Sequence, residues 1–362
     1  MPRTKAIPAT ADMLDAARLF YKLKKSRKEI AARLDTDIRG VTALLNEAER
    51  QGLVRISIYE TPETDVADRI QNRYRHLLKV MIVPGLPTET RTAQQYADFL
   101  KRAAMIAADY FDDDLVKEYQ KRGQPLHIGI SGGETLLEFV NAVPQRDRKN
   151  VYIHVTALVG TGRLHKTASL IHPIVTASIL FSRCGSQPGH CEYATVSPYV
   201  TEGPGPAAIE AVKKELGLVQ DNKTVMDVIE RMNSIDVAFA GIGMVNPAKA
   251  GLRNKLTMTG VLEPIITTRE LNRHQVRADF SYLLIRKDGS EPPDLPRFFL
   301  TAGHGSKYTG IEFYRNMVEQ KKPVVVMAGP FKIPALKAGL HGKLFNVLIT
   351  DQHSAEQLAK GS

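Results

Sequence analysis

Apolar side chains recur at helical spacing at Met13, Ala16, Ala17, Leu19, Phe20 and Leu23, which predicts an amphipathic helix near the start of the chain. Ser26 then stands where an N-cap belongs, with Glu29 three residues on as its capping-box partner, so a second helix runs from Arg27 to about Leu34. Asp35-Thr-Asp37 breaks the pattern. Asp37 can cap a third helix whose buried face is Val41, Leu44, Leu45 and Ala48, ending at Gln51-Gly52 with Gly52 as the glycine after the last turn. Helix, tight turn, helix is the spacing of a helix-turn-helix, and the alternation Leu53-Val-Arg-Ile-Ser-Ile58 adds a wing-like strand. A three-helix bundle with no nucleic-acid role has the same periodicity.

From Tyr59 to about Lys79 the chain turns polar, with a thin apolar stripe at Val66, Ile70, Tyr74 and Leu77. This reads as a linker helix. Its stripe suits a dimer seam, or equally packs on its own chain. Beyond it, strand-like runs at Val80–Val83, Leu126–Ile130, Tyr152–Val155, Val237–Ala240, Val324–Met327 and Asn346–Ile349 alternate with helical stretches near 91–110, 135–142, 206–216, 311–320 and 334–341. Short, continuously apolar strands between helices predict a mostly parallel sheet covered on both faces, with ligands at the carboxyl ends of the strands. The expected organisation is therefore a helix-turn-helix domain over 1–58, a linker helix over 59–79 and an α/β domain over 80–362.

Composition narrows the class. With 43% hydrophobic and 24% charged residues in a chain of 362, disorder, collagen and coiled coil are excluded as descriptions of the whole. The longest apolar runs fall far short of the ~20 residues that cross a bilayer, and Met1-Pro-Arg-Thr-Lys5 leads into no signal core, so a cytoplasmic protein without membrane contact is expected. Two cysteines, Cys184 and Cys191, are too few for a disulfide framework. Residues 1–56 carry twelve Lys/Arg against seven Asp/Glu, so half of the +10 net charge sits in under a sixth of the chain. If the head binds double-stranded DNA, Lys24, Lys25, Arg27 and Lys28 neutralise phosphates, and the third helix offers Ile38, Arg39, Thr42, Ala43 and Asn46 to the major groove. Arg39 and Asn46 are the residue types that read guanine and adenine. A solvated helix face is the plainer explanation of the same charge run.

Several loops at predicted strand ends suit an anion. Ile130-Ser-Gly-Gly-Glu-Thr-Leu136 sets two glycines and a hydroxyl between a strand and a helix start, where backbone N–H groups and the helix dipole favour phosphate. Val159-Gly-Thr-Gly-Arg163 repeats the theme and adds a guanidinium, and Ala240-Gly-Ile-Gly243 is a third glycine turn without a dinucleotide fingerprint. Ala328-Gly-Pro-Phe-Lys332 supplies a lysine, and Ile349-Thr-Asp351 a carboxylate. Other assemblies are poorer. Cys184, His190 and Cys191, with His165 and His172, lack the close pairing of structural zinc motifs, so no metal is expected. His304 and Lys307 have no partner carboxylate. Glu263 and Asp236 would serve an isomerase as acid and base, but Asp236 is read instead as orienting the loop that follows it.

The chain resembles the SorC family of sugar-binding transcriptional regulators over nearly its whole length. The head carries Glu29-Ile-Ala-Ala-Arg-Leu34, Val41-Thr-Ala-Leu-Leu-Asn-Glu-Ala48 and Gly52-Leu-Val-Arg-Ile56; the middle carries Asp236-Val-Ala-Phe-Ala-Gly-Ile-Gly243, Ala278-Asp-Phe-Ser281 and Asp288-Gly289. The tail carries Val324–Gly329, Lys332, Ala335–Ala338 and Leu344–Asp351. The resemblance implies a DNA-binding head on a Rossmann-like effector domain of the deaminase and ribose-phosphate isomerase type, a homo-oligomer (dimer or tetramer), no cofactor, and a sugar or sugar phosphate as ligand. It assigns the effector loop to Ser131, Gly132, Gly133, Glu134 and Thr135, the second loop to Gly160, Thr161, Gly162 and Arg163, the acidic position to Asp279 and the phosphate-side lysine to Lys332. There are departures. Where the family often has Gly-x-Ser-Arg before the recognition helix and an Arg within it, this chain has Asp35, Asp37, Ile38 and Ala43, and Pro330 replaces a common glycine in a loop one residue shorter. Thr301–Gly310 is longer than the family leads one to expect, and reads as a surface excursion or an added ligand loop.

Two function classes follow. A non-enzymatic, sugar-controlled DNA-binding regulator accounts for head and pocket together. A sugar-phosphate isomerase or deaminase with an accessory bundle accounts for the pocket alone.

Overall fold

The computed structural model describes residues 10–50, 53–54, 64–84, 93–160, 172–185, 189–194, 205–245, 266–329 and 331–360. The chain divides into two compact units, Met1–Tyr59 and Glu60–Ser362.

In the first unit, α1 (Thr10–Ala17) runs into a π-helical turn, Arg18–Lys22, and is followed by α2 (Arg27–Arg33) and α3 (Ile38–Arg50). The capping box at α2 is complete: the Ser26 hydroxyl accepts the Glu29 N–H while the Glu29 carboxylate accepts the Ser26 N–H at 2.8 Å. Asp37 caps α3 by accepting the Gly40 N–H. Met13, Ala16, Leu19, Ile30, Val41, Leu45 and Ala48 close a small core of their own. Leu23, predicted for that core, is 61% exposed. The Leu23 N–H donates to the Arg18 carbonyl five residues back, and this wider turn advances the register and carries Leu23 off the buried face. The predicted helix end at Gln51-Gly52 and residues 55–58 of the predicted wing lie outside the described residues.

The second unit begins with α4 (Thr64–Arg73). Val66, Ile70, Tyr74 and Leu77 are all buried in this unit's main core. The stripe therefore packs on its own chain and leaves no exposed seam. There follow β1 (Lys79–Val83), α5 (Ala93–Asp109), a π-helical stretch Tyr110–Val116, α6 (Lys117–Arg122), β2 (Leu126–Ile130), α7 (Glu134–Ala142), β3 (Ile153–Ala157), β4 (Val159–Gly160), α8 (Pro173–Arg183) and β5 (Cys191–Glu192). The chain continues through α9 (Pro206–Leu218), α10 (Lys223–Arg231), β6 (Val237–Ala240), β7 (Ile242–Met244), α11 (Thr268–Arg273), β8 (Val276–Phe280), β9 (Leu283–Arg286), β10 (Leu300–Thr301) and α12 (Ile311–Glu319). It ends with β11 (Val324–Met327), α13 (Ile333–His341), β12 (Val347–Asp351) and α14 (Gln352–Lys360).

Among the described residues, seven strands form one sheet in the order β1-β12-β11-β6-β2-β3-β5, every pair parallel. Alternate residues feed two cores. Val325, Val347 and Ile349 join Phe99, Phe111, Phe139 and Phe239 on one face, while Val324, Val326 and Leu348 join Phe280, Tyr314 and Phe345 on the other. Burial on both faces is why these strands read as unbroken apolar runs. From β2 the chain steps outward through β3 to β5, and from β6 it steps the other way through β11 to β12. Its direction thus reverses between the neighbours β2 and β6, where such sheets open a crevice at their carboxyl ends. Two small antiparallel sheets, β7-β8-β9 and β4-β10, stand beside the main one. Among the described residues no helix is long and apolar enough to cross a membrane.

Candidate functional site

The crevice between β2 and β6 is built on Ser131. Its N–H donates to the Phe239 carbonyl at 3.0 Å, its hydroxyl accepts the Gly241 N–H at 2.8 Å and its carbonyl accepts the Thr176 hydroxyl at 2.9 Å. With no exposed surface, Ser131 lies beneath the loop and fixes it from β6 and α8. Gly133 follows with φ 121° and ψ 160°, backbone that only glycine adopts readily, and a Cβ there would meet no described residue within 4 Å. Among the described residues, then, no side chain covers the loop's main chain at this point. The first-turn N–H groups of α7, including those of Glu134 and Thr135, point out of the helix beside it, a favourable place for an anion.

Across the crevice, β7 pairs with β8 so that Gly243 faces Asp279. A Cβ on Gly243 would fall within 2.3 Å of an Asp279 carboxylate oxygen, so that glycine makes room for the acid. Enclosure pushes the Asp279 carboxyl up to about 6, while the Lys332 ammonium and the N–H groups of Asp279 and Tyr282 pull the other way. The Lys332 Nζ donates to the Ile242 carbonyl at 2.8 Å and stands 5.9 Å from the Tyr96 ring centre. Asp279 and Lys332 thus share one neighbourhood, a hydrogen-bond acceptor beside a cation.

Among the described residues, three of the nine non-glycine residues with positive φ lie here. Ser281 and Tyr282, the two-residue turn between β8 and β9, have φ of 46° and 66°, and Phe331 has φ of 80°. The Ser281 N–H donates to the Gly241 carbonyl at 2.8 Å, so the hairpin tip and the Ser131 loop hang on one glycine. Side chains in left-handed backbone persist only where the surroundings impose it, and such positions cluster at ligand sites.

Of the residues singled out from sequence, Ser131, Gly132, Gly133, Glu134, Thr135, Asp279 and Lys332 come to this carboxyl end. Gly160 does too, in β4, paired with Leu300 of β10. Thr161, Gly162 and Arg163 lie outside the described residues, as do Pro330, Glu263 and His165. Asp236 is misread in sequence: its carboxylate accepts the His127 N–H at 2.9 Å at the amino edge of the sheet, away from the loop after β6. Asp351 caps α14 by accepting the Ser354 N–H, and His172 caps α8. Both cysteines are free thiols. Within Thr301–Gly310, Gly303, Gly305 and Gly310 take positive φ, and His304 Nε2 lies 3.2 Å from the Leu216 carbonyl, which ties the loop to α9. Sequence reasoning passed over Thr176, Tyr96 and the strained Ser281-Tyr282 turn; a hydroxyl or aromatic without a glycine beside it gives no local signal.

In the head, Arg39 and Asn46 are exposed on α3, with Ile38 and Ala43, while Thr42 is half-buried and donates its hydroxyl to the Ile38 carbonyl at 2.9 Å. Lys25 is engaged with Glu29 at 3.0 Å, and the Arg27 guanidinium sits 4.9 Å over the Phe20 ring. Lys24 and Lys28 are exposed without an ion pair among the described residues.

A parallel sheet with a glycine cradle, an enclosed acid and a lysine at its switch point defines a small-ligand-binding α/β domain. The Sugar-bind family, a family of sugar-binding domains, matches residues 61–360, and the chain belongs to it. The deoxyribonucleoside regulator of Bacillus subtilis (strain 168) is 23% identical over 347 residues, 95% of this chain and 96% of its own. Among solved structures, the full-length sorbitol operon regulator SorC of Klebsiella pneumoniae aligns with a TM-score of 0.69 at 18% identity, over 98% of this chain and all of its own. A DeoR family transcriptional regulator of Listeria monocytogenes aligns at 0.56 and 20% identity, over 80% of this chain and 97% of its own.

Proposed function

We infer that this chain is a DNA-binding transcriptional regulator of the SorC kind, whose operator affinity is set by a sugar, phosphorylated in the reading favoured here, bound at the switch point of the second unit. The observation that carries the reading is the family match over 61–360, supported by Asp279 beside Lys332 and by the Ser131 loop tied to the Ser281 hairpin tip through Gly241. Regulator relatives spanning nearly the whole chain, head included, support it further. In this reading the first unit is a helix-turn-helix. Arg39, Thr42 and Asn46 meet base edges, and Lys24, Lys25, Arg27 and Lys28 meet phosphates. In the second unit, a fold of the deaminase and ribose-phosphate isomerase type, the α7 start and Lys332 take the anionic end of the sugar and Asp279 accepts its hydroxyls. The protein works in the cytoplasm as a homo-oligomer, dimer or tetramer, and without a cofactor. Nothing favours an isomerase or deaminase, since Asp236, half of the acid/base pair such an enzyme would need, sits at the opposite edge of the sheet.

The effector acts without chemistry. It shifts the DNA-bound arrangement only by its differential affinity, typically ~1–3 kcal/mol of coupling, and operator DNA must change effector affinity by the same factor. A thermal-shift screen over hexitol, pentose and deoxypentose phosphates finds the ligand, which is then titrated with and without operator. Turnover of the sugar, identical affinities in both titrations, or equal DNA binding by the full chain and one starting at Thr61 would each sink the reading.

A further inference from the structure

At the amino edge of the parallel sheet, away from the effector crevice, three neighbouring strands bring histidines together. His127 on β2 and His154 on β3 are in register, and His190 directly precedes β5, its carbonyl accepting the Val155 N–H at 2.9 Å. Their ring centres are 4.6 and 3.9 Å apart. The His127 Nδ1 is committed: it lies 3.0 Å from the Ser234 hydroxyl, whose own hydrogen goes to the Arg231 carbonyl at 2.7 Å, so that nitrogen donates. The other two differ. The His154 Nδ1 and His190 Nδ1 face each other at 3.0 Å, where they must share a single hydrogen.

That separation is close to the spacing of two adjacent ligands on one ion, because metal–imidazole bonds of about 2.0–2.1 Å place neighbouring nitrogens about 2.9 Å apart at a right angle and about 3.3 Å apart at a tetrahedral one. Coordination through Nδ1 puts the remaining hydrogen on Nε2, where a carboxylate usually receives it. The His190 Nε2 stands 3.7 Å from Glu192, which the Arg231 guanidinium holds at 2.9 Å. His190 is 53% exposed, so an ion can reach it. Asp236 and Lys322 complete the charged surroundings on the β6 and β11 side. Among the described residues no three His, Cys, Asp or Glu are grouped to hold an ion, so a site here would have at most these two protein ligands.

We propose that His154 and His190 form a two-histidine site for a divalent transition ion of the Zn²⁺, Ni²⁺ or Cu²⁺ type, which clips the edge strand β5 to β3. Nitrogen ligands select these ions over Mg²⁺ and Ca²⁺. As the ion binds, the shared hydrogen moves from Nδ1 to Nε2 of the same ring and no proton is lost. The test is calorimetry with zinc chloride and, separately, magnesium chloride on the full chain, prepared without a polyhistidine tag and freed of metal by a chelator, near neutral pH. Zinc uptake without magnesium uptake is expected. His190→Gln, on an exposed side chain that leaves the fold intact, should weaken zinc by more than about tenfold, the least that losing even an outer partner costs. His127→Gln should leave it unchanged. No zinc uptake by the unaltered chain, equal uptake by His190→Gln, or an equal loss in His127→Gln would overturn the assignment.

Discussion

Gly241 gives its N–H to the Ser131 hydroxyl and its carbonyl to the Ser281 N–H, both at 2.8 Å, so a residue without a side chain joins the two loops that face each other across the crevice. A Cβ on Gly241 would press on the Gly132 carbonyl at 3.1 Å. Ser131→Ala strips the acceptor from a partly buried N–H, an expected cost of about 1–2 kcal/mol in urea unfolding. Because the loop loses its anchor, effector affinity should fall in the same variant, measured by calorimetry.

Gly133 and Gly123 offer a controlled comparison. Both have positive φ, and a Cβ on either meets no described residue within 4 Å. Gly133→Ala and Gly123→Ala should therefore each lower stability by about 1–2 kcal/mol from backbone strain alone. Only the first should weaken effector binding. Equal effector affinity in the two variants would show that the space before Gly133 is not the ligand's.

The Asp279 carboxyl is raised to about 6, above its value in the unfolded chain. A raised carboxyl contributes stability that is complete below the unfolded value of about 3.9 and is lost as pH climbs through the folded one. Relative to Asp279→Asn, the natural chain should lose stability as pH rises from about 4 to 6, followed by thermal melting at several pH values. A sugar whose hydroxyls donate to Asp279 should bind more tightly above that range than below it. Since Lys332 holds the carboxyl down, Lys332→Ala should move the binding midpoint to higher pH.

On the proposed DNA-binding reading, base reading and phosphate contact fall to different residues of the head. Arg39→Ala should cost roughly 1–3 kcal/mol on the preferred operator and relax its sequence preference, while Lys28→Ala should weaken all sequences alike and reduce the salt slope by about one. Fluorescence anisotropy on matched and scrambled duplexes over a salt series distinguishes them. A uniform loss in Arg39→Ala would place it on the backbone.

The parallel strands were legible because burial on both faces leaves unbroken runs such as Val324–Met327, and Ser26 with Glu29 announces its helix start through local chemistry alone. Asp279 was placed by resemblance, and its pairing with Gly243 was not readable, since β7 and β8 are short, far apart in sequence and antiparallel. Asp236 failed for a related reason: it sits just before β6, yet its hydrogen bond runs sideways to His127 on the neighbouring strand. Leu23 failed because periodicity assumes an α-helical turn, and the chain there winds wider.

Lys79–Val83 pairs with Val347–Asp351, so the first strand of the large sheet is held by the last, and α4 before it packs against α14 at the chain's end. On the ribosome, adding ~5–20 residues each second, β1 and the apolar face of α4 wait on the order of tens of seconds for their partners. The head needs no such wait, because its three helices close on a core of neighbours in sequence. A nascent chain can thus have a finished head while its sensor is still open, and an early stop in translation would yield a head without a sensor to govern it.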